Sequence, residues 1–351
     1  MERILLYYPA INIPDGNWLR NSLLYTDKVA SIVPFVDMND ERIDNDTKLL
    51  FDSGLYTPIS VFNNLNPGHK EFHKFQENFI TTIESAEFKA YQKVTNDYPW
   101  DKDQGMTNYT MYAEKLSHEI SEFLSEKNLL KRGDMGVMTV EKNSAIIYMS
   151  MLADYLASIN NDLVIPSTDE QEFEKLTFQL ADKKVLTHRL QLDSCLPTPS
   201  PDTDIKDIIK FKKARKQELL QFRAMMDTVE SEINKAEDGQ EKKLKLVQFQ
   251  EKLQTELLEI KKLLGDSKLD FILNGFSSLL DFKQKEVVGT VSGLGLVGVG
   301  VVTSLPLIGL GAGALLLTGT LVSSYKKINR QVQANSSSYI YYAQKAGLLK
   351  R

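Results

Sequence analysis

Residues 287–325 read VVGTVSGLGLVGVGVVTSLPLIGLGAGALLLTGTLVSSY, without one Asp, Glu, Lys, Arg or His. An uncharged apolar run of roughly 18 residues suffices for a membrane-spanning helix, and this run has room for two. Ser304-Leu305-Pro306 falls near its middle, where proline removes a backbone donor and favours a turn. The pattern predicts a hairpin with two apolar legs. Lys283 and Lys285 precede it, and Lys326, Lys327 and Arg330 follow it. Basic residues on both flanks set both ends of such a hairpin on the cytoplasmic side of a bilayer.

The glycines in this run admit two readings. Gly293, Gly295 and Gly298 spell G-x-G-x-x-G, the outline of a dinucleotide fingerprint. That fingerprint needs a strand before it, an amphipathic helix after it and an acidic residue about 20 positions on. The downstream sequence is uncharged, so no nucleotide or other cofactor is expected. The second reading is helix packing: Gly289 with Gly293, and Gly309 with Gly313, stand four apart and let a neighbouring helix approach closely. In water such a segment is a poor helix, because each glycine costs about 1 kcal/mol relative to alanine. Inside hydrocarbon the backbone must satisfy its own hydrogen bonds, which compels a helix or a closed barrel. Hydropathy alone does not separate insertion into lipid from burial of the hairpin inside protein, and both readings stand.

The sequence on either side is helical. A helix over residues 268–286 leads into the hairpin, a basic helix over 325–334 leaves it, and residues 336–351 carry Tyr339, Tyr341 and Tyr342. Further upstream, Ile205, Ile208, Leu219, Phe222, Met226, Val229, Ile233 and Ala236 fall largely three and four apart. A second such seam runs through Leu246, Phe249, Leu253, Leu257, Ile260 and Leu264, and Asp238-Gly239 breaks the two apart. This predicts an antiparallel pair of heptad helices. Leu196 to Pro201, LPTPSP, reads as a rigid connector.

Before the connector the pattern alternates between strand and helix. Residues 3–8, 29–35, 56–62, 136–140, 163–166 and 184–192 read as strands, with Pro58 marking 56–62 as an edge. Helices are predicted over 18–25, from Asp46 or Thr47 to Phe51 with Gly54 as the stop, over 70–95, over 109–128 and over 144–159. Lys131 to Asp134 reads as a turn. The fold class is α+β: a mixed α/β domain over 1–196, a connector over 197–202, a helical stalk over 203–286, the hairpin over 287–325 and a C-terminal segment over 326–351.

Bulk properties narrow the function classes. The net charge of −5 gives no general attraction to nucleic acid. The single cysteine, Cys195, excludes an internal disulfide and fits a reducing compartment. The opening MERILLYYPAINIPDG lacks the basic lead, the apolar core and the cleavage site of a secretory signal, so a cytoplasmic protein with inner-membrane association is expected.

Four stretches together resemble an uncharacterised bacterial family, the domain-of-unknown-function 6236 group. They are Leu6 to Pro9 with Trp18-Leu19 and Ile32 to Pro34; Tyr148-Met149 with Leu152-Ala153; Leu196-Pro197 leading to Ile208-Ile209 and Phe211; and Phe222-Arg223. Lys212 stands where that family more often has arginine. The resemblance supports the order of elements and implies no chemistry for any residue.

Sites for catalysis are sparse. His69 and His73 are four apart, but Lys70 stands where a zinc protease motif needs glutamate, so surface histidines are expected and no metal. Asp37, Asp40, Glu41, Asp44 and Asp46 lack EF-hand spacing and read as a solvated loop. Cys195, His118 and His188 carry no catalytic signature. The reading favoured is a non-enzymatic, membrane-associated or membrane-permeabilising effector of a toxin or phage-defence kind. Its partners would be membrane lipid and a protein partner or second copy through the helical region. The alternatives are a soluble scaffold subunit with the hairpin buried, and a hydrolase built on Asp15, Asp37 and Asp46.

Overall fold

A computed structural model describes residues 2–34, 37–62, 64–65, 68–95, 108–133, 136–170, 173, 196–235, 239–264 and 330–349. The hairpin over 287–325, Lys283, Lys285, Lys326, Lys327, Cys195, His188, the strand expected at 184–192 and the helix expected at 268–286 lie outside the described residues. The chain is mixed α/β. It divides into two compact units, Met1–Leu190 with Pro201–Lys210, and Gln191–Ser200 with Phe211–Arg351.

The first unit is built on a four-stranded parallel sheet. Its strands are β1 (Arg3–Tyr7), β2 (Lys28–Val33), β3 (Tyr56–Ser60) and β7 (Leu163–Ser167), in the order β3-β2-β1-β7. β1 reads RILLY and is buried along its whole length, as a central parallel strand covered on both faces must be. Leu5 lies in register with Val29 on one side and Ile165 on the other. β3 is an edge, and Pro58, which has no N–H to give, pairs there with Ser31.

Alternation along β1 divides the core. Ile4, Leu6 and Tyr8 join Ala30, Ile32, Ile59, Val61 and Val164 in one cluster. The helices α3 (Lys70–Glu84) and α6 (Lys142–Ser158) contribute Phe72, Phe75, Phe79, Tyr148 and Tyr155 to the same cluster. On the other face Tyr7 meets Trp18 of α1 (Asn17–Tyr25), ring centroids 5.0 Å apart. Helix α6 is buried on most sides, which is why its apolar residues show little periodicity.

Four local expectations are corrected. The helix expected over 109–128 is a strand, β4 (Asn108–Tyr112), a 3-10 turn (Ala113–Lys115) and then α5 (His118–Glu126). The β-rich run Tyr-Thr-Met-Tyr pairs with β6 (Val137–Glu141), and Ser117 starts the helix by accepting the Ile120 amide on its hydroxyl. Lys131 and Arg132, expected in a turn, belong to β5 (Leu130–Arg132), the other neighbour of β6 in this antiparallel sheet of order β4-β6-β5. Helix α2 (Asn45–Asp52) is capped by Asp44, whose carboxylate accepts the Thr47 amide at 2.7 Å, rather than by Asp46 or Thr47. Gly54 ends that region at φ +78°, as expected of a left-handed stop. The helical stretch over 70–95 is two helices, α3 and α4 (Ala86–Thr95). Ser85 adopts extended backbone between them and accepts the Phe88 amide on its hydroxyl.

The division between the units falls inside α7 (Ile205–Ala214), between Lys210 and Phe211. The second unit continues with α8 (Lys216–Lys235), α9 (Gly239–Leu264) and α10 (Ser338–Lys345). Helices α8 and α9 pack side by side, and Lys245 reaches Glu232 at 3.7 Å. The seam residues Phe222, Met226, Val229, Phe249, Leu253, Leu257 and Ile260 are buried. Tyr339 of α10 lies between Phe211 and Phe222, at 5.2 and 6.1 Å. The Arg215 guanidinium sits 3.8 Å over the Tyr342 ring and holds Glu218 at 3.0 Å. The proline-rich segment is tied to the chain's end, with Pro199 bridged to Leu349 and the Ser200 amide donating to the Leu348 carbonyl.

Candidate functional site

Two places bring together chemistry that the rest of the fold does not need. The first, in the second unit, joins residues from either side of the apolar run in sequence. α9 runs to Leu264, and on the other side of the run Arg330 is exposed in helical backbone that continues to 334. The returning chain docks on α9 itself. Ser337 donates its hydroxyl to the Glu256 carboxylate at 2.6 Å and Ser336 does so at 3.3 Å. Glu256 lies roughly 12 Å back along the helix axis from Leu264 at 1.5 Å per residue. Its carboxylate also faces the start of α10, where a helix favours negative charge.

This contact has a measurable weight. Ser337 is fully buried, so removing its acceptor strands a hydroxyl away from water. Glu256→Ala is expected to cost about 1–3 kcal/mol, and Glu256→Gln, which keeps an acceptor, clearly less. Urea unfolding of the full chain reads this difference, and equal midpoints for Glu256→Ala and the parent would remove the contact's role.

The second place is the carboxyl edge of the parallel sheet in the first unit. The Tyr7 hydroxyl, at the end of β1, lies near Asp169 beyond β7. The Trp18 indole N–H crosses from α1 to the Ser167 hydroxyl at 3.1 Å. Tyr109 of β4 donates its hydroxyl to the Pro9 carbonyl. Burial pushes the Tyr7 hydroxyl far above the ordinary tyrosine range, and the charges of Asp169 and Glu170 push it further. Tyr109 is raised in the same way, by burial and then Glu170. Asp169 and Glu170 themselves are exposed.

The carboxylates expected for a hydrolase are spread out. Asp15 lies at this edge but is held by Arg20 at 2.6 Å. Asp37 accepts the Asn39 amide, and Asp46 is exposed on the first turn of α2. No hydrogen bond or ion pair joins any two of the three. Within the acidic loop, Asp40 grips Arg42 through paired contacts of 2.8 and 2.9 Å. The Arg42 amide, then its side chain, hold the Asp40 carboxyl below its usual range. Among the described residues no group of His, Cys, Asp or Glu could hold a metal ion. His69 and His73 are exposed at the head of α3, and His118 is exposed beside Glu122 at 3.2 Å.

A family model described as Family of unknown function (DUF6236) matches residues 80–347. The chain belongs to this family. No curated protein and no solved structure matches it. The DUF6236 match begins inside α3, so β1, β2 and β3 precede it, whereas Glu256, Ser336, Ser337 and the whole apolar run fall within it. Of the DUF6236 stretches noted in the sequence, those around Tyr148, Leu196 and Phe222 lie inside the match, and Leu6 to Pro34 lies outside. Neither the Glu256 contact nor the Tyr7–Trp18–Ser167–Asp169 set was found from sequence. Each joins residues far apart in the chain, and no local spacing marks them.

Proposed function

We propose that this DUF6236 protein is a membrane-associating effector whose helical second unit presents residues 287–325 to a lipid bilayer. The observation that supports this reading is the contact of Ser336 and Ser337 with Glu256 of α9, which joins residues that lie on either side of the uncharged run in sequence. Two apolar legs between basic flanks suit a hairpin that enters and leaves by the same face. Burial of apolar surface, at about 25 cal/mol per Å², favours any apolar surroundings for this run over water. The glycine pairs Gly289/Gly293 and Gly309/Gly313 let the legs pack closely in lipid, with Gly298 beside them and Pro306 at the bend. The parallel-sheet unit serves as the sensing or partner-binding part. Among the described residues no helix is long and apolar enough to cross a membrane, so the reading stands on 287–325 alone.

A scaffold role, with the run covered by protein, has one observation in its favour: Leu220, Leu258 and Leu263 of α8 and α9 are exposed. Liposomes separate the two readings. The full chain is expected to float with vesicles and release an entrapped dye, and a variant lacking 287–325 to do neither. Full-length protein that stays unbound and releases no dye would overturn the membrane reading and favour the scaffold.

A further inference from the structure

The Lys245–Glu232 ion pair sets the register of the helical pair, so the first turn of α8 lies level with the last turn of α9. That end of the second unit is basic. Lys213 and Lys216, at the junction of α7 and α8, are exposed, and so is Lys262 in the last turn of α9. None of these three ammonium groups is in an ion pair with a described residue. Helix α10 brings the exposed Lys345 to the same end, since the Tyr342 ring lies under Arg215 and feels the charges of both Arg215 and Lys345. Among the described residues the acids at this end are few. Glu218 is buried and paired with Arg215, Glu256 is engaged by Ser336 and Ser337, and Glu259 is exposed. The whole chain carries a net charge of −5, so the positive end is a local feature.

Leucine lies among these lysines. Leu220, Leu258 and Leu263 are all exposed at the same end. A face meant for a protein partner would be poor in lysine, which is depleted from the cores of protein interfaces. Lysine beside exposed leucine suits a bilayer surface, where ammonium groups meet phosphates and the leucines enter the boundary beneath them. We infer that this end of the helical unit docks on anionic phospholipid, with Lys213, Lys216 and Lys262 as its headgroup contacts. The inference rests on the membrane reading above and adds to it the class of lipid. On this account the exposed leucines meet lipid rather than a scaffold partner.

Flotation of the full-length protein tests this, with vesicles of phosphatidylcholine alone and of phosphatidylcholine carrying about 30% phosphatidylserine. Binding to the anionic vesicles is expected to be at least about tenfold tighter at low salt. Raising the salt to about 0.5 M, which shortens the Debye length to a few ångströms, should remove that preference without any substitution. Each lysine at such a surface is worth roughly fivefold in affinity. Lys213→Gln, Lys216→Gln and Lys262→Gln together should therefore weaken anionic binding by at least about tenfold and leave neutral binding unchanged, with circular dichroism checking the fold. Equal binding to both vesicle types would overturn the lipid assignment and leave the membrane reading standing, whereas binding to neither would overturn both. A preference for anionic vesicles that the triple variant keeps would remove this face from the contact. Lysine-dependent binding to polyuridylate that is tighter than binding to the vesicles would overturn the inference in favour of RNA.

Discussion

Replacing Lys115 by methionine is expected to stabilise the protein at and below neutral pH by on the order of 3–5 kcal/mol. Lys115 closes the 3-10 turn after β4 and is only 4% exposed. Burial lowers its ammonium from the ordinary lysine value to about 7. The folded state therefore holds the proton less tightly than the unfolded chain, where the value is 10.5. The sign follows from proton linkage. The destabilisation is fully present below pH 7, where both states are charged, and it fades as the pH rises from 7 toward 10.5. Methionine fills the same space without a charge, so the gain over the parent should be largest at pH 6 and shrink steadily toward pH 10. Asp154 of α6, whose carboxyl burial raises to about 6, titrates at the lower end of this range in parent and variant alike and so cancels in their difference. Unfolding free energies of parent and variant at several pH values check this. A difference that stays constant from pH 6 to pH 10 would refute the account.

Much of the first unit was legible because its signals are local. β1 lies in a short, mostly apolar run stopped by Pro9, and Pro58 marked β3 as an edge from one residue. Phe72, Phe75, Phe79 and Ile83 recur at helical spacing, and all four are buried on α3. The errors arose where two patterns overlap. Tyr109, Met111 and Leu116 can be threaded on a helix or on a strand and turn. Pairing with β6, more than twenty residues away, decides for the strand. Asp44, Asp46 and Thr47 are all good caps, and only the backbone geometry of Asp44 selects it.

The sites were less legible than the fold, for a physical reason. Trp18 meets Ser167 from 149 residues away in the chain, and Glu256 meets Ser337 from 81 residues away. Such contacts are created by topology, and a single sequence carries no periodicity for them. Lys115 was equally silent, since nothing in Ala-Glu-Lys-Leu says that the lysine faces inward. The apolar run is the opposite case. Its composition alone, 39 residues without an ionisable Asp, Glu, Lys, Arg or His, marks it as a segment expected to leave water.

Phe79→Ala is expected to cost about 3–5 kcal/mol, the loss for truncating a fully buried aromatic side chain. Phe79 is wholly enclosed and meets Tyr148 edge-on at 5.2 Å and Phe123 edge-on at 6.4 Å. Phe79→Leu keeps most of the volume and should cost distinctly less, near 1.5 kcal/mol. The consequence reaches further than one cavity. Tyr148 meets Phe79 edge-on and donates its hydroxyl to the Lys115 carbonyl at 2.6 Å, so it touches both substituted positions. A shift of Tyr148 into the space left by Phe79 would move the turn that buries Lys115 and let water approach its ammonium. In the Phe79→Ala background, Lys115→Met should therefore stabilise less than it does in the parent, with a coupling of at least about 0.5 kcal/mol. A double-mutant cycle at pH 6 measures this, and additivity within about 0.3 kcal/mol would show that Tyr148 does not connect the two positions.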